Sequence, residues 1–104
     1  MLNLTKSNFE KETNGKNVLV YFAASWCPPC RIMGPIISEI SDTFEKVTFT
    51  FVDVDMDRDM ADMLKVENVP TIRLYKNGKL LEEYQGFYDK NNINEILTKH
   101  FGKG

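Results

Sequence analysis

The chain has 104 residues, which suits one domain with a core able to fold unaided. Hydrophobic residues make up 42% and charged residues 27%, the composition of a soluble globular protein. With 13 basic and 15 acidic residues the net charge is −2, so nothing points to nucleic acid, and no apolar run is long enough to span a bilayer.

The first twelve residues contain no apolar signal core, so a cytoplasmic setting is expected. Leu2 and Leu4 suit a short edge strand. Ser7-Asn8-Phe9-Glu10 has capping-box spacing and predicts a short helix to about Thr13, ended by Asn14-Gly15. Asn3-Leu4-Thr5 matches a glycosylation sequon, but without a secretion signal it reads as chance. Val18 to Ala23 is a continuous apolar run, β-branched and aromatic, which predicts a central strand buried on both faces. A helix follows directly. Its stripe Cys30, Met33, Ile37, Ile40, Phe44 steps at helical intervals, and Pro35 inside it predicts a kink.

Val47 to Val54 predicts the next strand, with Phe49 and Phe51 alternating with Thr48 and Thr50. Asp53, Asp55, Asp57 and Asp59 then superficially resemble a calcium loop. That motif wants glycine sixth and glutamate twelfth, where this chain has Arg58 and Leu64. A solvated strand end is the better reading, with Asp57 or a neighbour capping a helix to about Lys65. Val69-Pro70-Thr71 leads into a strand, Ile72 to Tyr75. Asn77-Gly78 predicts a two-residue hairpin turn, Leu80 to Tyr84 is the return strand, and Gly86 breaks it. Asp89 can cap a last helix with Ile93, Ile96, Leu97 and Phe101 facing the core and Gly102 ending it. His100, the single histidine, suits the charge-friendly end of that helix better than a partnership with Cys27. The order is βα, βα, βα, ββα. Helices between strands imply parallel pairing, and the Asn-Gly turn implies an antiparallel hairpin. The expected fold is α/β, a central mixed sheet with helices on both faces, in one domain over 1–104.

Both cysteines lie in Ser25-Trp26-Cys27-Pro28-Pro29-Cys30-Arg31. Proline is tolerated in a helix's first turn, where its missing N–H would have no intrahelical partner, so Pro28 and Pro29 predict a helix starting here. Cys27 and Cys30 then lie about one turn apart on one face, within the roughly 4.4–6.8 Å between Cα atoms that a disulfide needs. Cys27 sits at the tip, where unpaired N–H groups and the helix dipole favour a thiolate. It reads as the exposed nucleophile, and Cys30, one turn in, as the covered resolving cysteine. A zinc site needs four ligands, and the chain offers two cysteines and one distant histidine. A structural staple closing so short a loop would add little. Redox chemistry fits best, with no metal.

Trp26-Cys27-Pro28-Pro29-Cys30, Pro35 in the same helix, Val69-Pro70-Thr71, Lys76-Asn77-Gly78-Lys79 and Gly86 together resemble the thioredoxin family, in order and over essentially the whole chain. The resemblance implies the thioredoxin-like fold and a dithiol–disulfide oxidoreductase that reduces protein disulfides, with no cofactor of its own. Thioredoxin reductase, using NADPH, would recharge it, and it would act as a monomer. Cys27 and Cys30 match the family's attacking and resolving cysteines, and Pro70 its cis-proline. Trp26, Pro28, Pro29, Val69, Pro70 and Gly86 would frame a shallow substrate groove, where a substrate strand pairs with backbone near Val69.

Three positions depart from the family pattern. The usual glycine after the first cysteine is Pro28, which gives the motif found in tryparedoxins. The buried aspartate beneath the site is Tyr21, and the lysine that commonly faces it is Phe51. The usual deprotonation aid for the resolving cysteine is therefore absent. Two other readings stand beside the reductase: a docking subunit that uses the groove alone, and a carrier of copper or zinc on the C-x-x-C pair.

Overall fold

Strand β2 (Asn17–Ala23) occupies the middle of a five-stranded sheet in the computed structural model, which describes residues 1–103. The sheet order is β1-β3-β2-β4-β5. The apolar sequence of β2 is what that place demands, and Val18 to Phe22 are all buried. On one side β2 pairs in parallel with β3 (Val47–Asp53), which pairs in parallel with β1 (Leu2–Asn3). On the other it pairs antiparallel with β4 (Thr71–Lys76), which forms a hairpin with β5 (Lys79–Gln85). Helices α1 (Phe9–Thr13), α2 (Pro28–Ser41), α3 (Arg58–Met63) and α4 (Lys90–Phe101) cover the two faces. This is the expected mixed α/β architecture. No described helix is long and apolar enough to cross a membrane.

The hairpin turn follows its residues. Asn77 and Gly78 take φ of 52° and 80°, the left-handed pair that a type I′ turn requires. Asp89 caps α4 by accepting the Asn92 N–H at 2.8 Å, and Gly102 ends that helix. Helix α2 runs through Pro35 without a break and buries Cys30, Met33, Ile37 and Ile40. It stops at Ser41, so Phe44 joins the core from beyond the helix end.

Several expectations are corrected. Strand β4 runs antiparallel to β2, although a helix separates it from β3. A connection as long as Val54 to Pro70 lets a chain enter the sheet in either direction, so an intervening helix does not fix the sense of the next strand. The Phe/Thr alternation of β3 does not sort inside from outside. Thr50 is fully buried and donates its hydroxyl to the Leu19 carbonyl at 2.9 Å, while Phe51 is only half-buried. The Ser7–Glu10 capping box does not form. Asn8 takes the N-cap position, and its Oδ1 accepts the Thr5 N–H at 2.8 Å, closing the preceding turn instead. Asp57 precedes α3 without a side-chain cap bond, and Asp53 organises the turn by accepting the N–H groups of Asp55 and Met56 at 3.0 and 3.1 Å. Helix α3 ends before Lys65, whose φ of 56° is left-handed and cannot extend it. His100 packs on β5, with its Nε2 3.0 Å from the Tyr84 hydroxyl, so that hydrogen bond rather than the helix end alone accounts for it.

Candidate active site around Cys27 and Cys30

The site hangs from the end of the central strand. β2 ends at Ala23, whose carbonyl accepts the Val54 N–H at 2.9 Å, and the Ala24 carbonyl accepts the Cys27 N–H at 3.2 Å. Helix α2 then begins with Pro28 and Pro29 at its first positions and Cys27 as its N-cap. The two prolines contribute no N–H, so Cys30 brings the first backbone donor of the helix. That donor is aimed at the site: the Cys30 N–H lies 3.3 Å from Cys27 Sγ. A disulfide joins Cys27 to Cys30 across this single turn, with their Cα atoms 5.3 Å apart.

The cysteines differ less in exposure than their positions suggest. Cys27 is 3% exposed and Cys30 5%, so Cys27 is not the open member of the pair in the oxidised protein. What distinguishes the two is hydrogen bonding, since the helix N–H meets the Cys27 sulfur.

Trp26 precedes Cys27 in the chain, and it shares a groove with Val69. Trp26 is 63% exposed, and its indole N–H donates to Asp55 Oδ2 at 2.7 Å, which ties the cysteine loop to the loop after β3. Sequence reasoning missed Asp55. The alternating aspartates drew attention only as a failed calcium loop, and nothing local links residues 26 and 55. Trp26, Asp55, Val66 and Val69 line one open groove of about 760 Å³. The Val69–Pro70 peptide bond is cis. Thr71, the next residue, pairs with Phe22, which places Pro70 beside the end of β2. The Gly86 N–H donates to the Pro70 carbonyl at 2.8 Å, and Gly86 takes a φ of +95° that favours glycine. Among the described residues, Val69 makes no backbone hydrogen bond. Pro28 and Pro29 are exposed at the helix tip.

The inner side is built differently. Tyr21 and Phe51 are register neighbours on β2 and β3. With Ala23, Val52 and Cys30 they line a recess of about 340 Å³. The Tyr21 hydroxyl donates to the Cys30 carbonyl at 2.8 Å. Burial pushes the Tyr21 phenol up to about 12, so it holds its proton throughout the physiological range. Among the described residues, no three His, Cys, Asp or Glu side chains are placed to hold a metal ion.

Two thiols closed into a disulfide across one helical turn, with a donor at the outer sulfur, define a site for dithiol–disulfide exchange. Relatives agree. The Thioredoxin family model matches residues 1–99. A thioredoxin-like protein of Synechocystis sp. is 41% identical over 102 residues, 95% of this chain and 94% of its own length. The thioredoxin of Mycoplasmoides gallisepticum is 35% identical over 85 residues, 82% of this chain and 85% of its own. The X-ray structure of Fasciola hepatica thioredoxin matches with a TM-score of 0.88 at 32% identity, over 96% of this chain and 99% of that one. The chain belongs to the thioredoxin family and is a thiol–disulfide oxidoreductase with Cys27 and Cys30 as its redox-active pair.

Proposed function

We propose that the protein is a general protein-disulfide reductase, monomeric and cytoplasmic, recharged by an NADPH-dependent thioredoxin reductase. Cys27 is the attacking cysteine and Cys30 the resolving one. The observation that carries this order is the Cys30 N–H directed at Cys27 Sγ at the helix tip. That donor, with the helix dipole, stabilises a thiolate on Cys27 and none on Cys30.

The reaction takes two exchanges. The Cys27 thiolate attacks one sulfur of the substrate disulfide, and the other leaves as a thiolate. Cys30, on losing its proton, attacks Cys27 Sγ; the mixed disulfide breaks and the second substrate thiolate departs. Two electrons have moved to the substrate, and the Cys27–Cys30 disulfide remains. Tyr21 stands where a carboxylate would take the Cys30 proton, so water or the departing thiolate accepts it. Substrate lies across Trp26, Pro28, Pro29, Val69, Pro70 and Gly86. The unpaired Val69 backbone suits an added strand of substrate.

The test is turnover of a disulfide-bonded protein with NADPH and several thioredoxin reductases. Turnover is expected in the native protein and only background in Cys27→Ser. Cys30→Ser is expected to accumulate a mixed disulfide through Cys27. Native protein that binds partners without turnover points to a docking subunit, and stoichiometric copper or zinc binding to a carrier. Trapping through residue 30 in Cys27→Ser, at equal yield, reverses the assigned order.

A further inference from the structure

The turn that bears the cysteines is short of internal donors. Pro28 and Pro29 give it no N–H, and Pro35 cannot donate to the Arg31 carbonyl four residues back. Two side chains tie the turn down from outside. Arg31 Nε–H donates to the Ser25 carbonyl at 3.1 Å on the exposed side. Tyr21 O–H donates to the Cys30 carbonyl at 2.8 Å on the buried side. The second tether is anchored more firmly, because Tyr21 belongs to the central strand, where it pairs with both Phe51 and Ile72. A buried phenol needs a partner, and among apolar walls the Cys30 carbonyl is the one it has. Gly34 completes the seat. A Cβ there would stand 3.7 Å from Tyr21 Cε2 and 4.0 Å from its hydroxyl, so the helix presents its smallest residue to this ring.

We propose that Tyr21 is a positioning residue for the second exchange: its hydrogen bond to the Cys30 carbonyl, made from the wall of the recess, holds the turn that presents the Cys30 sulfur to Cys27. The inference rests on the reductase reading, in which Cys30 resolves. In that step the Cys30 thiolate forms the new bond to Cys27 Sγ, the bond from Cys27 to substrate breaks, and its electron pair leaves on the substrate sulfur. Tyr21 gains and loses no proton. Its effect is orientation, and a displacement of about 1 Å can slow a positioned reaction by up to about a hundredfold. The first exchange depends less on this tether, because Cys27 lies at the N-cap and its own N–H is held by the Ala24 carbonyl.

The two exchanges can be timed separately. Reduced protein is mixed by stopped flow with a symmetric aromatic disulfide whose thiolate is coloured. Attack by Cys27 releases the first coloured thiolate, and resolution by Cys30 releases the second as the Cys27–Cys30 disulfide forms. Tyr21→Phe keeps the ring and removes the hydroxyl. The expected result is a first phase within about twofold of native and a second phase roughly tenfold slower. Phe51→Leu reshapes the same recess without touching the hydroxyl and is expected to leave the ratio of phases unchanged. A native protein with no second phase would refute the resolving role of Cys30 and with it the reductase reading. A native protein with both phases, and a Tyr21→Phe protein with the same ratio, overturns the positioning role alone. Equal slowing of the second phase in both variants assigns the effect to packing and also overturns it. Should Tyr21→Phe not fold, Gly34→Val crowds the ring from the helix side and is expected to slow the second phase selectively; an unchanged ratio there counts against the proposal.

Discussion

The Cys27–Cys30 disulfide has two unlike sides. Its outer side is loop and helix tip: Trp26, Pro28, Pro29, the cis Val69–Pro70 bond, and Gly86 bound to the Pro70 carbonyl. What it offers a partner is mostly backbone and one exposed indole. Its inner side is strand: Tyr21 and Phe51, side by side on β2 and β3, around an apolar recess. On the proposed reading the outer side selects what reaches the sulfurs, and on the inner side the Tyr21 hydroxyl meets the Cys30 carbonyl. By the family resemblance, the outer residues match the pattern except at Pro28, and the inner side carries two rings, Tyr21 and Phe51, where that pattern has an acid and a base. Two buried partners constrain only each other, so they can change together.

The largest expected effect tests that inner pairing. Tyr21→Asp places a lone carboxylate in the recess and leaves a ring-sized void, and Phe51 offers no charge to pair with it. The expected cost is several kcal/mol, on the order of 3, in denaturant unfolding. The penalty grows as pH rises through the raised folded pKa of such an acid, because burial disfavours its charged form. Adding Phe51→Lys is expected to recover part of the loss, and a double-mutant cycle measures the coupling. If the lysine recovers nothing, the two sides of the disulfide are not distinguished by an exchanged pair.

Pro28→Gly sharpens the comparison from outside. It restores an N–H to the first turn, where the Cys27 sulfur now meets only the Cys30 N–H, and it loosens the loop. The reduction potential is expected to move by tens of millivolts, where 30 mV corresponds to about 1.4 kcal/mol. Redox titration against glutathione reads it, and an unchanged value removes Pro28 from the determinants of potential.

A smaller effect lies at alkaline pH. The Tyr21 phenol is raised from 10.0 to about 12 by burial. A raised pKa contributes stability that is complete below the unfolded value and is lost as pH climbs through the folded one. The native protein should therefore lose stability between about pH 10 and 12. Tyr21→Phe should lack that component, and matching pH profiles for the two proteins would show that Tyr21 is not buried as described. The smallest effect is optical. Trp26 adjoins Cys27 in sequence and is held by Asp55. Its fluorescence should change on reduction of the disulfide, and a flat titration would separate the indole from the pair.

Much of this was legible in the chain itself. The apolar run of β2, the helical stripe of α2 as far as Ile40 and the Asn77-Gly78 turn carry local signals, and the structure keeps them. The cysteine motif was legible because both cysteines share one helical turn. What stayed hidden depends on register between distant strands. Thr50 is buried while Phe51 is only half-buried, which the Phe/Thr alternation alone does not reveal. The direction of β4, the Trp26–Asp55 bond and the Tyr21–Cys30 bond each join segments that no periodicity links. The exposure of Cys27 was not legible: a helix tip is open in principle, but in the disulfide-bonded protein Cys27 is as buried as Cys30.

The central place of β2 also decides how the protein breathes. Amide hydrogens exchange with solvent through openings of different size, from local fraying at edges to global unfolding at the centre of a sheet. β5 is an edge strand with exposed Leu80 and Leu81, and its outer amides can exchange by fraying. β2 has a hydrogen-bonded neighbour on each side, so its amides exchange only when the sheet itself comes apart. The strand that hands the chain to Cys27 is thus expected among the slowest-exchanging segments, and the reactive turn is carried at the end of a strand paired on both sides.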